Sequence, residues 1–213
     1  MKSKPDIAQH NLMLITDRHR SLGRDTRDVI RQALTGGVRL FQLREPDLPD
    51  GEIYQLTNEI LPEIRAAGGL LILNDRIDVC LAADADGVHL GANDLPINVG
   101  RELLGNNKLI GFSAHTREQA SEAAYQGADY ITLSPAFPLK HKDSPFKPLS
   151  PDELWAVVDE IHIPVFFLGG ININNINALL KIGKTTRVAV VSAITESKNI
   201  SEAAFELLGM LLS

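Results

Sequence analysis

An α/β fold, and within that class one small (β/α)8 barrel of the TIM type over residues 1–213, is what this sequence predicts, on three observations. Short apolar runs alternate eight times with helical patterns, which implies a parallel sheet covered by helices. Many of the runs are apolar at consecutive positions, as strands buried on both faces are. An open doubly wound sheet, the nearest competitor, needs a glycine-rich turn after its first strand, and the residues after Thr16 supply none.

The elements follow in order. Residues 1–10 read as a loose leader. A strand at 12–16 ends in Asp17, and Asp25-Thr26 then caps a helix over 27–34 that Gly36-Gly37 stops. A strand at 40–43 precedes an amphipathic helix over 52–67, with Ile53, Leu56, Ile60 and Ile64 on one face. Strands at 70–73 and 87–90 lead into helices at 77–83 and 99–104. The strand at 109–112 leads into a helix at 117–126. A strand at 130–133 is followed by a long loop, 134–149, and a helix at 151–160. The last two units pair strand 164–168 with helix 174–182, and strand 187–191 with helix 201–212.

Composition narrows the function. Hydrophobic residues make up 44% and charged residues 23%, ordinary for a globular protein. A net charge of −6 with no basic stripe argues against nucleic acid as a partner. No apolar run approaches a membrane span and no signal segment stands at the N-terminus, so no membrane partner and a cytoplasmic location are expected. The single cysteine, Cys80, lies among Ile77 and Leu81 and reads as a core residue.

In such barrels chemistry sits at the C-terminal ends of the strands. Those ends carry Gln42 and Arg44, Asn74-Asp75, His89 with Asp94 beyond it, Ser113 and His115, Ser134, Gly169-Gly170, and Ser192. Asp75 and Asp94 stand alike at two neighbouring ends, where a carboxylate pair can hold one hard divalent cation together with substrate phosphates. The competing reading has each aspartate capping the helix that follows it. VFFLGGI at 165–171 and VAVVSAI at 188–194 have the form of a phosphate site, with a short helix starting near Ser192. The loop at 134–149 carries Lys140, His141, Lys142 and Lys147, a basic stretch in an acidic chain that can act as a lid and, with Arg44, clamp a second anion.

These motifs together resemble one family, thiamine phosphate synthase, with its thiazole tautomerase relatives. The resemblance runs from LITD at 14–17 through QLRE at 42–45, LNDRIDV at 73–79, ADGVHLG at 85–91, GFSAHT at 111–116 and GADYITLSPAFP at 127–138 to LGGI and VSAI, which ends at 194. It implies a transferase joining hydroxymethylpyrimidine diphosphate to hydroxyethylthiazole phosphate, with Mg²⁺ as cofactor. By position, it implies Asp75 and Asp94 as metal ligands, Gln42 on the aminopyrimidine, and His89 lining that pocket. Arg44, Asn74, Ser113 and Lys142 fall on the diphosphate, with Arg44, Ser113 and Lys142 carrying the catalysis. Gly170, Val191 and Ser192 fall on the thiazole phosphate. Partners are therefore small molecules, and a homo-oligomer is compatible with the sequence. Three residues depart from the family pattern: Pro46 stands where a lysine is usual, and Leu139 and His141 where threonines are. Two alternatives accompany the synthase reading. One is a metal-independent tautomerase in which His115 moves the proton; the other is a barrel that only binds phosphorylated ligands.

Overall fold

The computed structural model describes residues 3–139, 146–182 and 186–212. Eight strands, β1 (Leu12–Ile15), β2 (Leu40–Leu43), β3 (Leu70–Asn74), β4 (Gly87–Leu90), β5 (Leu109–Ala114), β6 (Tyr130–Leu133), β7 (Val165–Leu168) and β8 (Arg187–Val190), pair in parallel and in sequence order. β8 returns to β1, with Leu12 opposite Val188, and the barrel closes. Helices α1 (Thr26–Thr35), α2 (Asp50–Ala66), α3 (Ile77–Ala82), α4 (Ile97–Leu104), α5 (Arg117–Tyr125), α6 (Pro151–Glu160) and α7 (Ile176–Leu179) fill the connections. A single turn, α8 (Ser192–Thr195), and the long α9 (Ile200–Leu212) follow β8. Among the described residues no helix is long and apolar enough to cross a membrane.

Alternation along each strand splits the apolar residues into two layers. Leu14, Phe41, Leu73, Val88, Ile110 and Phe167 pack outward against helix residues such as Val29, Ile60 and Leu154. Met13, Leu40, Ile72, Leu109, Tyr130, Phe166 and Ala189 form the inner cluster. Moving two residues toward the C-terminal end keeps a side chain on the same face, so Gln42, Asn74, Ser113 and Thr132 continue the inner face of β2, β3, β5 and β6. The barrel interior is thus apolar below and polar above.

Its lower end overturns one expectation. The leader is not loose throughout 1–10: a 3-10 helix spans Ile7–Gln9, capped by the Asp6 carboxylate, and Ile7 joins the inner cluster. Arg187 donates to the Ala8 carbonyl at 3.0 Å, and Lys4 pairs with Asp129 at 2.6 Å. An apolar side chain at the open base of the barrel has more to gain from entering it than from staying in water. The helix expected over 174–182 also shortens, to Ile176–Leu179. Asn172 and Asn175 explain it: the Asn172 N–H donates to the Asn175 side chain and the Asn174 N–H to that of Asn172, so local bonds compete with the helix.

Candidate active site

Asp75 reaches the top of β3 through a backbone twist. Its φ is +62°, a left-handed conformation that aspartate tolerates better than most residues, and its N–H donates to the His89 carbonyl at 2.9 Å. Asp94 closes a turn after β4: its N–H donates to the Gly91 carbonyl, and its carboxylate accepts from the Gly91 N–H at 2.6 Å. Neither caps a helix. The N-cap positions of α3 and α4 are Arg76 and Pro96, and neither helix receives a side-chain cap. The two carboxylates instead meet each other. Partial burial, then hydrogen bonding and like-charge repulsion from Asp94, push the Asp75 carboxyl up to about 6, while the Arg44 charge opposes the rise. Asn74 donates to Asp75 at 2.6 Å.

Beneath this pair lies a buried polar chain. His89 is 3% exposed; its Nδ1 lies 2.9 Å from the Tyr130 hydroxyl and its Nε2 lies 2.9 Å from Ser113 Oγ. Thr132 Oγ1 stands 3.2 Å from the same Nε2. Burial, with the Arg44 charge adding to it, pushes the imidazole down to about 3, so the ring is neutral. The Gln42 side chain hydrogen-bonds the Tyr130 hydroxyl, opposing the burial that makes that phenol a weaker acid. Gly111 makes room for the ring, since a Cβ there would come within 2.0 Å of Tyr130 Cζ.

Arg44 follows β2. Its own N–H donates to the buried Thr16 hydroxyl at 3.0 Å, and its guanidinium makes no hydrogen bond with a described residue. The next residue, Glu45, is buried: one oxygen accepts the Arg18 N–H and the other the Thr26 hydroxyl, both at 3.0 Å. Glu45 thereby ties the Arg44 strand end to the β1 loop and to the start of α1.

On the opposite side, Gly169 and Gly170 follow β7 with φ of +100° and +67°. These glycines answer a steric need. A Cβ on Gly170 would sit 2.7 Å from the Pro138 carbonyl oxygen, and one on Gly169 would sit 2.9 Å from Pro135. The glycines admit the loop after β6, which also bonds back through Ala136 N–H to Leu168 and Phe137 N–H to Gly169. Val191 precedes α8, whose first residue is Ser192. A cavity of about 460 Å³ opens there, lined by Asn172, Ser192, Ala193 and Lys198 among others.

The structure therefore brings Gln42, Arg44, Asn74, Asp75, His89, Asp94 and Ser113 to one end of the barrel over β2 to β5, with Gly170, Val191 and Ser192 at the same end by β7 and β8. Lys142, with Lys140 and His141, lies outside the described residues; Lys147 is exposed. His115 Nδ1–H donates to the Ser134 carbonyl at 2.8 Å, and the ring stacks on Phe146 at 3.8 Å. Cys80 is buried and its thiol is pushed up to about 12, which keeps it an inert core residue. Sequence reasoning missed Tyr130, Thr132 and Glu45. The available signal was a tyrosine and a threonine at alternate positions of an otherwise apolar strand, hence on one face.

Comparison with known proteins points to one family. The family model described as thiamine monophosphate synthase matches residues 12–194. A protein of Geobacter sulfurreducens is 47% identical over 201 residues, covering 94% of each chain. The thiamine-phosphate synthase of Syntrophomonas wolfei is 39% identical over 200 residues, 94% of this chain and 95% of that one. A solved thiamine phosphate pyrophosphorylase from Pyrococcus furiosus superimposes with a TM-score of 0.87 at 34% identity, covering 96% of each chain.

Proposed function

Because the chain belongs to the thiamine monophosphate synthase family, we propose that it joins hydroxymethylpyrimidine diphosphate to hydroxyethylthiazole phosphate and releases pyrophosphate. One observation carries this reading: two carboxylates on adjacent strand ends face each other beside an arginine, above a neutral polar floor. Like charges held together raise the proton affinity of one of them, and a divalent cation would relieve that repulsion, so the residues fit Mg²⁺. Asp75 and Asp94 would hold it, and it would supply neutralisation of the diphosphate charge.

This chain's own groups do the rest. Gln42, buried beside the apolar inner cluster, offers an amide edge to the aminopyrimidine, with His89 walling the pocket. Arg44, Asn74 and Ser113 surround the diphosphate with donors, and the family resemblance assigns Lys142 to the same group. Breaking the methylene–oxygen bond sends its electron pair to pyrophosphate, while the electron-rich pyrimidine stabilises the methylene cation. The thiazole nitrogen then forms the new carbon–nitrogen bond, its phosphate held near Gly170, Val191 and Ser192. No proton has to leave carbon. The work is charge stabilisation and alignment.

The test mixes both substrates with purified protein and Mg²⁺ and follows pyrophosphate. Release should require both substrates and Mg²⁺, and Asp75→Ala or Asp94→Ala should lower kcat by about a hundredfold or more, as losses of charge-stabilising groups do. Full turnover in EDTA would overturn the assignment. Isomerisation of a thiazole carboxylate phosphate without pyrophosphate would point to the His115 tautomerase instead.

A further inference from the structure

The hydroxyls around His89 impose a direction on the buried chain. His89 sits between Tyr130 on one ring nitrogen and both Ser113 and Thr132 on the other, with no carboxylate of a described residue bonded to either nitrogen. A neutral imidazole has one donor nitrogen and one acceptor nitrogen. Nδ1 is the acceptor that the described residues place within hydrogen-bond distance of the buried Tyr130 hydroxyl, at 2.9 Å, so the phenol proton goes there. The proton of the ring must then be on Nε2, where it is shared between the oxygens of Ser113 and Thr132. The opposite tautomer leaves the phenol proton without a described acceptor. It also makes Nε2 an acceptor, and Ser113, the nearer of its two hydroxyls at 2.9 Å against 3.2 Å, would turn its proton to the ring and present lone pairs toward the barrel mouth.

We propose that Tyr130 is a positioning residue: by donating to Nδ1 it fixes His89 as the Nε2–H tautomer, which frees the Ser113 hydroxyl to donate to a diphosphate oxygen. Thr132 supports it as the second acceptor for that Nε2–H. The inference rests on the reading above, in which Ser113 meets a diphosphate. The fit of the phenol is tight: Gly111 has no space for a Cβ beneath it, and the ring meets Phe166 edge-on at 5.7 Å.

The test is the ¹⁵N spectrum of histidine-labelled protein together with binding of pyrophosphate in the presence of Mg²⁺. The parent protein should show His89 with a pyrrole-type Nε2 and a pyridine-type Nδ1. Tyr130→Phe keeps the ring volume and removes the donor. It should shift the population toward Nδ1–H and weaken pyrophosphate binding about ten- to a hundredfold, the scale of one hydrogen bond to a charged group. In a Ser113→Ala background the same change should add nothing to the loss. A parent protein already in the Nδ1–H form overturns the proposal. So does Tyr130→Phe with an unchanged tautomer, a tautomer change with unchanged pyrophosphate affinity, or additive losses in the double variant. None of these readouts needs turnover. A protein that gives the expected spectra and binding but makes no product upholds the relay and refutes the reaction.

Discussion

Asp75 titrates against a neighbour of its own sign, and that has consequences for both stability and metal binding. Its folded value of about 6 lies above the ordinary 3.8, so the folded chain takes up a proton that the unfolded chain has released. The stability this group contributes to the metal-free protein is therefore fully present below pH 3.8 and is lost as pH rises through about 6. Mg²⁺ competes with that proton. The rise in Tm caused by Mg²⁺ should be large at about pH 8 and small at about pH 5, and Asp94→Asn should flatten the difference. Equal shifts at the two pH values would show that the cation binds elsewhere. The aspartate pair was legible in the sequence because each acid stands in an Asn-Asp pair just past an apolar run. The floor beneath it was not. Tyr130 and Thr132 sit in a strand whose residues all read as core, and only the closed barrel shows that two of them share a face with His89.

Among the elements, the β1 loop is held by a residue that follows β2. Glu45 accepts from Arg18 and Thr26, while Arg24 donates to the carbonyls of Thr195 and Ser197 at 3.1 and 2.7 Å. The loop thus bridges the Arg44 side of the site and the α8 side. Glu45→Ala would leave the buried Thr26 hydroxyl and the Arg18 N–H without their acceptor, at a cost of about 1–3 kcal/mol. Urea unfolding should register that loss, with Glu45→Gln losing less because one acceptor oxygen remains. An alanine variant as stable as the parent would mean that water replaces the carboxylate. Strand and helix order was readable from the alternation of apolar runs with helical spacing. These loop ties were not, since nothing local in Gln42-Leu43-Arg44-Glu45 says that the glutamate turns inward while the arginine faces the site. The two glycines after β7 show the same limit: their backbone need was legible, but the residues that crowd them, Pro135 at Gly169 and Phe137 with Pro138 at Gly170, come from another loop.

For the whole barrel, stability and chemistry lie at opposite ends. The lower end holds Ile7, Leu40, Leu109 and Phe166 in one apolar cluster, whereas Gln42, Asn74, His89 and Ser113 occupy the upper end of the same faces. Closure itself was legible, because eight units in one chain leave no edge strand to protect. The plug was not, since Ile7 stands alone in a polar leader with no periodic pattern. Its burial at 4% exposure makes a clean separation of the two ends testable. Ile7→Ala removes apolar volume from the base of the barrel and should cost about 2–5 kcal/mol. For a domain of this size each kcal/mol lowers Tm by about 2–4 °C. The site residues lie at the other end of the barrel from that side chain, so kcat and both KM values should stay within about twofold of the parent well below the new Tm, as changes at separate sites add independently. Denaturant unfolding beside steady-state kinetics decides it. Loss of activity at a temperature where the variant is fully folded would mean that the base of the barrel sets the geometry of its mouth, through the inner column of Met13, Ile72 and Tyr130 that joins them.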